Sequence, residues 1–130
     1  MMPLPLRYLW AFPTTAIGLM LTIIALATGG RAKRHTGVLE VHGGCLTFLL
    51  HRCTMLPYGA AAMTLGHVVL ARDEACLTAT RVHERVHVRQ AERWGPLFMP
   101  AYAIASLVAK LRGGDAYRDN VFEMEAFGDT

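Results

Sequence analysis

Residues 8–30 carry no charge, and the stretch 14–28 reads TTAIGLMLTIIALAT. A run this long and apolar has three outlets: a membrane anchor, a cleaved signal peptide, or a helix buried in a core. Pro13 suits the first turn of a helix, and Gly29-Gly30 stops it. Trp10 and Phe12 sit at one end, where interfacial aromatics belong. A helix over 13–28 would be roughly 24 Å long, slightly under a bilayer's hydrocarbon core, and extension back toward Leu9 makes up the difference. Arg31, Lys33 and Arg34 follow the run and only Arg7 precedes it, so the positive-inside rule keeps the rest of the chain in the cytoplasm. Ala25 and Ala27 also match a small-x-small cleavage site, which would instead export the mature chain. The expected organisation is a single-pass membrane anchor (or signal peptide) over 1–30 and one domain over 31–130.

Composition narrows the class. Apolar residues make up 53% of the 130 and charged residues 18%, too apolar for a disordered chain. The formal net charge is +3, and the only dense basic run is 31–35, flanking the apolar segment. That excludes an ordinary nucleic-acid binder, which clusters its cations on one face with interleaved aromatics. The three cysteines, Cys45, Cys53 and Cys76, form no CxxC pair, so neither a disulfide scaffold nor a zinc ribbon is expected. A Cys45–Cys53 bridge between two neighbouring strands is one alternative; three reduced, packed thiols are the plainer reading.

After the apolar run the pattern changes period. Residues 37–42 alternate loosely, Gly43-Gly44 signals a hairpin turn, and 45–50 suits a partner strand. Residues 51–61 hold Pro57 and Gly59 and read as a loop, and 62–70 read as a third strand, bulged at Gly66. The sum is a small antiparallel sheet of about three strands. Asp73 then caps a helix running to Trp94, with Ala75, Ala79, Val82 and Val86 as its apolar stripe. Gly95-Pro96 ends it, an apolar helix follows over 97–111, and Asn120 opens a short last helix in which Asn120 and Glu123 are spaced as a capping box. The fold class is α+β.

His83-Glu84-Arg85-Val86-His87 is an HExxH motif. Residues i and i+4 share one helix face, so both imidazoles reach one zinc ion at about 2.0–2.1 Å. Glu84 projects beside them, placed to act as general base on a zinc-bound water rather than as a ligand. Arg85, charged inside the motif, should point away from the metal. Zinc needs a further protein ligand, and the remaining donors are Glu92, Asp115, Asp119, Glu123, Glu125, His35, His42, His51 and His67. Glu92 lies too far along the motif helix to bend back. The helix over 97–111 would return the chain by roughly 24 Å, so the last helix crosses near His83.

The motif followed by Glu123-Met124-Glu125-Ala126 resembles the gluzincin arrangement, in which HExxH on one helix is joined by a Glu from an ExxA-type sequence on a later one. It is similar to small membrane-associated zinc metallopeptidases. From about residue 64 to 126 the chain also resembles an uncharacterised family of short bacterial proteins. The resemblance implies His83, His87 and Glu123 as zinc ligands, Glu84 as the base, and a zincin-like fold with its sheet beside the motif helix. Phe127 stands where the family's acidic residue follows ExxA, which leaves Glu125 open as the third ligand. By analogy with such folds, strand 64–70 would bind an extended substrate along its edge.

Gln90, one turn beyond His87, is placed to hold a ligand or the water. Asp119 or Asn120 is placed to accept an imidazole N–H, and Tyr117 or Arg118 to polarise a carbonyl. His67 reads as structural. The helix over 97–111 must not span the membrane, because Glu123 would then lie opposite His83. The expected activity is hydrolysis of peptide bonds in a peptide or protein substrate by a membrane-bound zinc metallopeptidase. The alternative is a non-catalytic, membrane-anchored zinc-binding or protein-interaction module.

Overall fold

The computed structural model describes residues 3–52 and 61–128. In chain order these form α1 (Leu4–Ala27), β1 (Arg31–His35), β2 (Val38–His42), α2 (Leu46–Arg52), β3 (Ala62–Leu65), β4 (Val68–Ala71), α3 (Glu74–Trp94), a 3-10 turn (Gly95–Leu97), α4 (Phe98–Leu111) and α5 (Val121–Ala126). Cys53, and with it the Cys45–Cys53 pairing, lies outside the described residues, as does most of the loop expected over 51–61.

The class is α+β, but the sheet is mixed and four-stranded, in the order β1-β2-β4-β3. β1 pairs with β2 and β3 with β4 antiparallel, while β2 and β4 run parallel, with Leu39 opposite Val68 and His42 opposite Ala71. Three readings of the sequence change. The basic run 31–35, read as a membrane flank, is also an edge strand, fully exposed. The expected strand 45–50 is helix α2: Gly43 and Gly44 take positive φ, and the Gly43 carbonyl accepts from Leu46 N to start a helix rather than close a hairpin. The expected bulge at Gly66 is a full turn, so 62–70 splits into β3 and β4. Gly66 has φ +62°, and a Cβ there would strike Thr15 of α1.

β4 is buried along its whole length because both faces of the sheet are covered. On one side Val68 and Leu70 pack with Val41, Leu65, Ala25 of α1, and Leu46 and Leu50 of α2. On the other, Val69 and Ala71 pack with Val38 and with Leu77 and Val88 of α3. α1 is therefore a layer of the fold. Pro13 lies inside it rather than at its first turn, and the helix begins further back than expected. Tyr8 donates to the Gly37 carbonyl (2.6 Å) and Thr15 Oγ1 accepts from His67 N (3.0 Å). α1 is also long and apolar enough, by length and composition alone, to cross a membrane or serve as a signal sequence.

α3 begins where expected, with the Asp73 side chain accepting from Cys76 N (2.8 Å), and ends at Gly95 in positive φ. Its buried face is not the expected stripe. Ala75, Ala79 and Val82 face outward, and Val82 is 82% exposed. Leu77, Glu84, Val88 and Ala91 face inward, at i, i+7, i+11 and i+14. The sheet-facing side carries the polar motif, so the buried face is not the most apolar one.

Candidate metal centre

α3 and α5 bring the expected donors together. His83 Nε2 lies 2.9 Å from Glu123 Oε1, His87 Nε2 lies 3.1 Å from the same oxygen, and the two nitrogens are 3.3 Å apart. Glu84 is beside them, with Oε2 4.0 Å from His83 Nε2. One ligand atom each from His83, Glu84 and His87 fits within 4.8 Å. Glu123 and Glu84 are buried, and His83 is the most exposed of the four side chains.

Asn120 sets the position of Glu123. Wholly buried, it donates through Nδ2 to Tyr102 O (3.1 Å) and Ser106 Oγ (2.8 Å), pinning α5 to α4, while its Oδ1 caps Phe122 N (2.8 Å). The reciprocal half of the capping box is not made, because the Glu123 carboxylate turns to the histidines instead. Tyr102 donates its hydroxyl to Glu123 Oε2 (2.5 Å). Sequence reasoning missed Tyr102, which sits in an apolar helix with no motif to mark it.

Gln90 fixes His87. Its Nε2 donates to Phe122 O (2.9 Å) and Glu125 Oε1 (2.6 Å), so its Oε1 is left to accept from His87 Nδ1–H at 2.8 Å. That assignment leaves the lone pair of a neutral His87 on Nε2, the nitrogen facing Glu123. Glu125, the alternative ligand, is spent on Gln90 and Arg93 (2.8 Å) and stays out of the cluster. Thr64 of β3 donates to Glu84 Oε1 (2.8 Å), leaving Oε2 toward the histidines. Arg85 turns away from the cluster, to His35 O (2.6 Å) and Glu40 Oε2 (3.1 Å). Arg81 grips the buried Glu40 with two 3.0 Å bonds, so α3 is clamped to β2 beside the motif.

The other donors are engaged elsewhere. Glu92 pairs with His67 (2.9 Å), which stacks on Tyr8, and Asp119 Oδ2 accepts from Asp115 N (2.6 Å). His35 is exposed on β1, His42 ends β2, and the side chain of His51 lies outside the described residues. Arg118 lies 4.2 Å from the centre of the Phe127 ring, Tyr117 meets that ring edge-on, and Phe127 leans on His83 with centroids 4.4 Å apart.

The electrostatics follow the packing. Burial works against the charged form of Glu123, but hydrogen bonds from His83 and His87 outweigh it and bring the carboxyl down to about 2. Burial opposes protonation of His87, yet the Glu123 carboxylate raises it overall. Glu84 is raised, chiefly by burial, against the pull of His87 and Thr64. Tyr102 is pushed up by burial and by Glu123.

The donor set fits a divalent cation. Tetrahedral zinc with bonds near 2.0–2.1 Å separates its ligand atoms by about 3.3–3.4 Å, so a few tenths of an ångström of opening would seat the ion. Compared with protein-family models, curated proteins and solved structures, the chain finds no match.

Proposed function

We propose that this chain is a zinc-dependent metallopeptidase of the gluzincin type, held at the cytoplasmic side of a membrane and acting on a peptide or protein substrate. The observation that carries the reading is the convergence of His83 Nε2, His87 Nε2 and Glu123 Oε1 within 3.3 Å. With Gln90 taking the Nδ1–H of His87, a neutral His87 would put its Nε2 lone pair against the Glu123 carboxylate. Added positive charge makes that arrangement favourable, and either a proton or a metal ion supplies it. The packing of the motif helix beside a small sheet is consistent with a zincin-like arrangement, with short edge strand β3 as the substrate's neighbour.

When bound, zinc supplies Lewis acidity and makes a water acidic near neutral pH. The chain's own groups do the rest. His83, His87 and Glu123 would hold the ion, with Tyr102 fixing the second oxygen of Glu123. Glu84, raised by burial and anchored through Thr64, is poised to take a proton from the water and return it to the leaving amine. Phe127 screens His83 from solvent.

A non-catalytic zinc-binding or interaction module is the second reading. It is favoured by the placement of one groove among the described residues. That groove, about 810 Å³, lies between α4 and α5, lined by Trp94, Ile104, Val108, Arg112 and Phe122, and not over Glu84.

Metal content by mass spectrometry, on the native chain and on Glu123→Ala and His83→Ala, tests the site. About one zinc per chain, lost in both variants, is the expected result. No zinc after reconstitution would sink both readings of a metal centre. Glu84→Gln then separates them: a peptidase loses turnover and keeps its metal, whereas a structural site is indifferent.

A further inference from the structure

We infer that the chain lies in the plane of an anionic membrane surface, with the outer face of α1 seated at the boundary between headgroups and acyl chains. The inference rests on the membrane association proposed above and not on zinc.

α1 is turned inside out relative to a helix of a water-soluble domain. The stripe it packs on the sheet is Ala11, Thr14, Gly18, Thr22 and Ala25, all small or hydroxyl-bearing and all buried. The Thr22 hydroxyl is satisfied within the helix, by the Gly18 carbonyl (2.8 Å). The opposite face carries Leu9, Phe12, Ile17, Met20 and Ile23, each more than half exposed. An apolar face of this length is far more than isolated surface residues, and it asks for an apolar cover. It runs on into the corner before α4. Trp10 donates to Arg93 O (3.3 Å) and packs over Gly95, and Trp94, Leu97 and Met99 are exposed there.

Two observations select a lipid surface as the cover. First, exposed cations follow α1 in the chain and also stand at the end of α4. Arg31, Lys33 and Arg34 are exposed on β1, directly after α1, and Lys110 and Arg112 are exposed at the end of α4. Exposed basic residues beside an apolar face are attracted to anionic lipid. Second, α1 is docked along its length and cannot span while docked. Tyr8 reaches Gly37, Thr15 reaches His67, Gly18 abuts Val68, and Thr28 Oγ1 accepts from Cys45 N. A spanning α1 would drag strands with unpaired edges to bilayer depth, where their backbone groups find no partners. To span alone it would have to leave Val41, Leu65, Val68 and Leu70 uncovered. Lying in the surface satisfies both faces of α1 at once.

The test uses the full chain and vesicles of phosphatidylcholine with and without phosphatidylglycerol. Flotation with the anionic vesicles is expected, with a blue shift of tryptophan emission, and binding weakened by salt. Arg31→Gln/Lys33→Gln/Arg34→Gln should weaken anionic binding by on the order of a hundredfold. Met20→Glu/Ile23→Glu should abolish flotation while leaving thermal stability unchanged, since neither residue faces the sheet. Cysteines introduced at Met2 and Arg112 should both label from the side to which protein is added. Labelling on opposite sides, with resistance to alkaline extraction, would overturn the inference in favour of a span. A stable dimer that ignores both kinds of vesicle would overturn it in favour of a second copy as the cover.

Discussion

Gln90 Oε1 accepts a 2.8 Å hydrogen bond from His87 Nδ1, and the rest of the Gln90 amide leaves it no other role. Both hydrogens of its Nε2 are committed to Phe122 O and Glu125 Oε1. Orientation of the side chain is therefore dictated from α5, and it in turn dictates which nitrogen of His87 meets Glu123. Gln90→Leu keeps the volume and removes the acceptor. Zinc affinity should fall about 10–100-fold, the range for losing a group that orients a metal-bound histidine. Chelator competition measures it, and an unchanged affinity would mean that packing alone orients His87.

Tyr102 bears on the same site from α4. Tyr102→Phe removes a single hydroxyl and leaves Glu123 Oε2 buried without its donor. A hydrogen bond to a charged acceptor contributes about 1.5–3 kcal/mol. The variant should lose stability on that order in the metal-free state, measured by denaturant unfolding, and should bind zinc more weakly. A loss below about 0.5 kcal/mol would show that water replaces the hydroxyl.

For Glu84→Gln the amide oxygen still accepts from Thr64, so folding should be close to unchanged. Turnover of a peptide substrate should fall by about 10²–10⁴, the usual contribution of a general base, with zinc content retained. Equal turnover in the two proteins would exclude Glu84 as the base.

Protons and metal pull stability in opposite directions with pH. In the metal-free chain, Glu123 sits at about 2 against an ordinary 4.5, so its contribution is present above 4.5 and lost as pH falls toward 2. His87 is raised above its ordinary 6.5, so its contribution is present below 6.5 and lost as pH rises through the raised value. Zinc requires neutral imidazoles, so its stabilisation grows as pH rises. The gain in Tm on adding zinc should therefore increase from about pH 5.5 to 8. A gain that shrank over that interval would mean that the cluster holds protons and no metal.

Gly18 tests α1 as a layer of the fold. A Cβ at this position would stand 2.8 Å from the Cβ of Val68, closer than packed carbons approach. Gly18→Leu should cost about 1–3 kcal/mol or more by overpacking, and should expose the α1 side of the sheet to a hydrophobic dye. An undisturbed melting curve would mean that α1 is attached to the sheet only loosely.

Helix geometry alone put His83 and His87 on one face, because a spacing of four residues is a local property of any α-helix. Asp73 and Gly95 bounded that helix from local capping chemistry. What the sequence could not rank were relationships between elements. Glu123 and Glu125 are two residues apart on a short helix, and Asn120, bonded to α4, decides which of them faces the histidines. Gln90 is legible from its place one turn beyond His87 on the same helix, whereas Tyr102 carries no motif, since its role exists only once α5 meets α4. The apolar residues of α2 fit either period, and the turn at Gly43 and Gly44 leads them into a helix. The buried stripe of α3 includes Glu84, a polar residue that a partner on β3 makes tolerable, so apolar periodicity does not mark that face. The composition of α1 reads the same for a span, a signal or a layer of the fold. Only the docked arrangement, with Gly18 against Val68 and the large side chains outward, shows α1 as a layer of the fold, because burial is a property of two surfaces and a sequence displays one.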